Sequence, residues 1–133
     1  MSKLQCIVVT PEITLLNTGA DFVAVPLYDG ELGIDYNHSP LLGRLGNGEL
    51  RITNEGRVEH YYVEGGFVEI KDNVVLLLTQ RAVPVKSLDV SSAGEQLEAA
   101  MKRPSNTPEL MTVRDRAVSQ ARAQLHLAQK SLQ

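Results

Sequence analysis

Short apolar runs closed by prolines and turn dipeptides fill the first two thirds of the chain. Residues 4–10 are strand-like and stop at Pro11, and residues 22–25 stop at Pro26. Asp29-Gly30 and Asn47-Gly48 are turn dipeptides, and alternating Leu50-Arg51-Ile52-Thr53 follows the second. Asn54-Glu55-Gly56 reverses the chain into residues 58–63, Gly65-Gly66 leads into residues 67–70, and Lys71-Asp72-Asn73 leads into residues 74–79. Strand signals spaced this way predict an antiparallel sandwich or barrel. Residues 74–78 (Val-Val-Leu-Leu-Leu) show no polar alternation, which predicts a central strand covered on both faces. Tyr61-Tyr62 predicts one core and one surface ring, because adjacent strand residues face opposite ways.

After Leu88 the period changes to that of helices. Asp89 is a candidate cap, and Val90, Ala93, Leu97, Ala100 and Met101 share one face. Arg103-Pro104-Ser105-Asn106 ends this helix, and Thr107-Pro108 reads as a cap plus first-turn proline for a second. The second stripe is Leu110, Ala117, Val118, Ala121, Leu125, Ala128 and Leu132. Composition breaks at the same place. Residues 1–84 hold 9 of the 10 glycines and every aromatic residue, with 11 acids against 6 bases. Residues 85–133 hold 7 of the 10 alanines, with 7 bases against 5 acids. The predicted class is α+β: a β-sandwich domain over residues 1–86, then a helical hairpin domain over residues 87–133.

Charge and chemistry narrow the function. The chain of 133 residues has a net charge of −3, which argues against nucleic-acid binding. One cysteine, Cys6, leaves no internal disulfide and no cysteine-based zinc site, and it suits a reducing compartment. No apolar run approaches the roughly 20 residues of a membrane span, and no leader pattern precedes the first strand, so the mature chain is expected to begin at Met1. Gly46-Asn47-Gly48 lacks the lysine and following helix of a phosphate loop. His38, His60 and His126 lie far apart, and Asp35, His38 and Ser39 are too close in sequence for a hydrolytic triad. No acid, base and nucleophile cluster, so no catalytic residue is assigned.

The order of the remaining motifs is informative. Gly30-Glu31-Leu32-Gly33-Ile34, then His38-x-Pro40-Leu41-Leu42, Gly48-x-Leu50-x-Ile52, Gly65-Gly66-Phe67-x-Glu69-Ile70 and Leu88-Asp89 before an alanine-rich tail resemble the epsilon subunit of the F-type proton-translocating ATP synthase. The resemblance implies a non-catalytic central-stalk subunit that couples proton flow through the c ring to ATP synthesis. It implies binding to the gamma subunit and the c-subunit ring, with Tyr28, Asp29, Gly30, Glu31, Gly33 and His38 as the c-ring contact. It also implies a hairpin able to extend toward the catalytic beta subunits and inhibit ATP hydrolysis, with Arg114, Arg116, Arg122 and Lys130 meeting acidic groups there. Some members bind ATP through Ile/Leu-Asp-x-x-Arg-Ala. Here Ser92 stands in place of the arginine, so Leu88, Asp89 and Ala93 form a weak nucleotide contact at most and no cofactor is expected. The implied location is peripheral, on the cytoplasmic face of the bacterial inner membrane, without direct membrane insertion. A free-standing β-sandwich binding or adaptor module is the alternative, separated from the stalk reading by complex formation with gamma.

Overall fold

Turn chemistry sets several of the strand pairings. In the computed structural model, which describes residues 3–132, Glu55 and Gly56 both have positive φ and join β6 (Asn47–Asn54) to β7 (Arg57–Glu64). Asp72 and Asn73 do the same between β8 (Phe67–Lys71) and β9 (Val74–Leu78). Both are two-residue hairpins whose left-handed backbone matches the twist of paired strands. The expected start at Met1 lies outside the described residues.

Two compact units divide after Pro84. The first has two five-stranded sheets. One runs β2 (Thr14–Ala20), β1 (Leu4–Val9), β9, β8, β5 (Leu41–Arg44). The other runs β10 (Ala82–Pro84), β7, β6, β3 (Phe22–Leu27), β4 (Gly30–Asp35). Alternate residues of each sheet point into a shared core that includes Leu4, Cys6 and Val8, Val23 and Val25, Leu50 and Ile52, Val68 and Ile70, and Val75 and Leu77. The predicted sandwich is therefore present. All pairings are antiparallel except β1 with β9, which run parallel.

Three expectations change. β9 is central, as predicted, but only Val75 and Leu77 face the core; Val74 and Leu76 are half-buried and Leu78 is exposed. Its apolar run covers one buried face and one open face, which periodicity cannot distinguish from two buried ones. The turn dipeptide Asp29-Gly30 is shifted by one residue: the turn is Tyr28-Asp29, and Gly30 already pairs with Leu27 as the first residue of β4. Tyr61 and Tyr62 do face opposite ways, yet Tyr62 is fully buried while Tyr61 is the partly buried ring beside the sandwich core.

The second unit holds a 3-10 turn (Val85–Ser87), α1 (Val90–Met101) and α2 (Pro108–Lys130), with the two helices packed together. Both caps are as read: the Asp89 carboxylate accepts from the Ser92 N–H at 2.9 Å, and the Thr107 hydroxyl accepts from the Leu110 N–H at 3.1 Å. The buried face of α2 is Val118, Ala121, Gln124, Leu127 and Ala128. Leu110 and Leu132, placed on the stripe from spacing, are exposed, and Met101 is exposed at the end of α1. Gln124 and Leu127 were missed because a polar residue and an off-register leucine break the simple stripe.

Candidate functional site: the open face and rim of the sandwich

The outward face of the first sheet follows from its registers. Val9, Leu78, Phe67 and Arg44 stand side by side across β1, β9, β8 and β5. The adjacent outward row is Ile7, Leu76, Glu69 and Leu42. Leu42 is 74% exposed, Phe67 54% and Leu78 48%, while Ile7, Val9 and Leu76 are half-buried. Ile13, beyond the end of β1, is exposed as well. Scattered surface leucines need no explanation, but a contiguous apolar face on four neighbouring strands is the mark of an interaction surface.

At the Arg44 end of this face the two sheets are stitched together. The Tyr28 N–H donates to the Arg44 carbonyl at 2.8 Å, and the Gly46 N–H donates to the Pro26 carbonyl at 2.8 Å. The Leu45 N–H donates to the Gly66 carbonyl at 2.8 Å, and Leu27 and Leu45 form an isolated bridge. Residues 44–46 thus pass from one sheet to the other while holding the start of the Tyr28-Asp29 turn. The Tyr28 ring is exposed, and the Arg44 guanidinium lies over it, 4.8 Å from its centroid.

The residues expected at the c ring occupy different parts of the rim. Tyr28, Asp29 and Gly30 share the turn, and Gly30 has φ +142, open to glycine. Glu31 is outward on β4 but not free: Arg51 grips both its oxygens at 2.8 Å. Arg51 also reaches Glu49 at 3.3 Å, and His60 Nδ1 lies 3.1 Å from the second Glu49 oxygen. These acceptors, Glu31 first, hold the Arg51 guanidinium pKa above its usual value. Gly33 serves packing, since a Cβ there would come within 2.9 Å of the Phe22 ring. His38 is at the other end of β4, its Nδ1 2.7 Å from the Ser39 carbonyl oxygen, beside the Asn37–Asn73 hydrogen bonds. A six-residue strand separates it from the turn by about 20 Å.

Comparison with known proteins gives these surfaces a context. Residues 3–85 match the family described as the ATP synthase, Delta/Epsilon chain, beta-sandwich domain. The ATP synthase epsilon chain of Rhodopirellula baltica is 48% identical over 123 residues, spanning 92% of this chain and 96% of that one. That of Carboxydothermus hydrogenoformans is 42% identical over 101 residues, spanning 76% and 75%. The chain belongs to the ATP synthase epsilon-chain family. A chain of the Euglena gracilis mitochondrial ATP synthase, solved as an OSCP/F1/c-ring assembly, has the same fold, with a TM-score of 0.84 at 20% identity over all of this chain and 83% of that one.

Family membership makes the chain a subunit of the rotary ATP synthase. Because the Rhodopirellula match spans 92% of the chain, it takes in the hairpin as well as the sandwich. No described helix is long and apolar enough to cross a membrane. Among the described residues, no three His, Cys, Asp or Glu side chains group to hold a metal. In this epsilon-family hairpin, the Asp89 carboxylate is engaged as the α1 cap, and the Ser92 N–H bond, its leading cause, lowers its pKa. Ala93 is buried, Leu88 is half-buried and Ser92 is exposed. At about 100° per residue, Arg116, Arg122 and Lys130 fall on the side of α2 away from its buried stripe. Arg114 falls on the stripe side, half-buried, with its guanidinium 3.3 Å from Asp115.

Proposed function

We propose that the chain is the non-catalytic foot of the central stalk, binding the gamma subunit through the open face of the first sheet. The observation that supports this is the apolar surface of Leu42, Phe67, Leu76 and Leu78, which a subunit working alone would leave in water. Burying such side chains contributes about 1.5–3 kcal/mol each. The turn at Tyr28–Gly30, with Glu31, meets the polar loops of the c ring. A close-packed sandwich between shaft and ring transmits torque with little compliance. The subunit is peripheral, on the cytoplasmic face of the bacterial inner membrane, and couples proton flow to ATP synthesis.

The test is gel filtration of the full chain with purified gamma. Leu42→Asp with Phe67→Asp should weaken the complex by about a hundredfold or more, at two large side chains lost from the interface. Unfolding of the variant alone should hold its midpoint, since both side chains are outward. Complex formation at unchanged affinity would place gamma on another face, and an absence of complex with the unsubstituted chain would favour the adaptor module.

The hairpin restrains ATP hydrolysis when its helices reach the catalytic beta subunits. Residues 85–133 carry 7 bases and 5 acids, opposite in sign to the sandwich, and charge of this kind steers docking and register more than it adds affinity. Deleting residues 108–133 should raise ATP hydrolysis by the assembled complex. Replacing Arg114, Arg116 and Arg122 by alanine should recover part of that rise, with the difference shrinking as salt shortens the screening length below ~10 Å. Unchanged hydrolysis after the deletion would reject the restraint.

A further inference from the structure

We propose that Arg44 is a positioning residue that fastens the Tyr28-Asp29 turn to the open face of the first sheet, so that the ring-facing turn and the gamma-facing sheet move as one body. The inference rests on the placement of gamma and the c ring under Proposed function, but its structural half stands without it. Arg44 is the last residue of β5 and pairs with Phe67 of β8, so its side chain emerges from the edge of the apolar face. Its carbonyl takes the Tyr28 N–H, and its guanidinium lies over the Tyr28 ring. One residue therefore holds the turn twice, by backbone and by side chain.

Apart from the β3–β4 backbone pairing of Leu27 with Gly30 that closes it, the turn makes few contacts. Tyr28 is 71% exposed, Asp29 and Gly30 are exposed, and a Cβ at Gly30 would meet nothing within 4 Å. Beyond the turn, Glu31 is anchored sideways by Arg51 to the second sheet. That pair lies within the second sheet, joining β4 to β6, so the side-chain tether that leads from the turn to the apolar face of the first sheet is Arg44. Among the described residues no carboxylate pairs with Arg44, and the contact its guanidinium makes is with the Tyr28 ring. Guanidinium stacks flat on an aromatic face in a way an ammonium does not, which makes arginine and lysine unequal here.

The experiment places a spin label at Asp29→Cys in the full chain, in a Cys6→Ala background, and reads label mobility. Arg44→Ala should raise the mobile population about two- to fivefold, the size expected for loss of an exposed cation–π contact. Arg44→Lys should recover part of it, and thermal unfolding should hold its midpoint in both. Tyr28→Leu should mobilise the label in the same way and serves if an Arg44 variant fails to fold. In the reassembled ATP synthase, the same variants should lower proton pumping per ATP hydrolysed. Equal label mobility with and without Arg44 would overturn the tether. Raised mobility with an unchanged pumping ratio would overturn its role in moving the two surfaces together. Loss of gamma binding by the Leu42 and Phe67 variants is read separately, so failure of the interface assignment is distinguishable from failure of the tether.

Discussion

Gly66→Ala is expected to destabilise the sandwich severely, while Gly65→Ala beside it costs far less. A Cβ on Gly66 would lie 1.8 Å from the Leu78 carbonyl oxygen and 2.9 Å from the Thr79 Cα. Neither can retreat, because Leu78 is paired with both Val9 and Phe67, and the Thr79 N–H bonds to the Val9 carbonyl at 3.0 Å. The Gly66 φ of +102 is also foreign to L side chains. Moving a strand pairing at the centre of a sheet puts the cost at about 4 kcal/mol or more, a large part of a domain's stability. Gly65 has φ +59, and the nearest atom to an added Cβ is the Asn47 side-chain oxygen at 3.9 Å. Only the left-handed backbone is penalised there, by about 1–2 kcal/mol. Urea unfolding of the two variants measures the difference, and equal costs would reject the close approach of Gly66 to Leu78.

The second large effect concerns Cys6, which should resist thiol reagents until the sandwich opens. It lies in the core with no exposed surface, and burial pushes its pKa from 9.0 up to about 12. That rise alone leaves about a thousandfold less reactive thiolate at neutral pH. Alkylation of the native chain should therefore be slower than that of the urea-unfolded chain by at least this factor. The same shift makes folding sensitive to alkali. Between pH 9 and 12 the folded chain keeps a proton that the unfolded chain has lost, so stability falls as pH rises through this window. The loss reaches about 4 kcal/mol near pH 12. Tyr61, raised by burial and then by its bond to Glu59, adds to the loss at the upper end. Cys6→Ala should flatten the fall between pH 9 and 12, and an unchanged slope would show that other groups govern alkaline unfolding.

Whatever is encoded by neighbours in the chain could be read from the sequence. The turns at Glu55-Gly56 and Asp72-Asn73, the caps at Asp89 and Thr107, and the run of β9 each depend on a few consecutive residues. So did the α+β class and the order of motifs that carried the family resemblance. The strands β2, β4 and β5 escaped, since their alternation is interrupted by glycine, asparagine or brevity and they take their order from partners.

The candidate site was less legible, because its residues meet across sheet pairings rather than along the chain. Glu31 and Arg51 are 20 positions apart, and Arg44 reaches Tyr28 only where β5 crosses toward the second sheet. Residues 28–38 look like one contact segment in sequence, yet β4 carries His38 to the far end of the rim. The apolar run of β9 announced a strand without telling which of its faces lies open. That face is chosen by the pairing of β9 with β1 and β8 and by the packing of one sheet on the other. These are long-range contacts, whose energies depend on which surfaces meet, and a local pattern of side chains cannot record that choice.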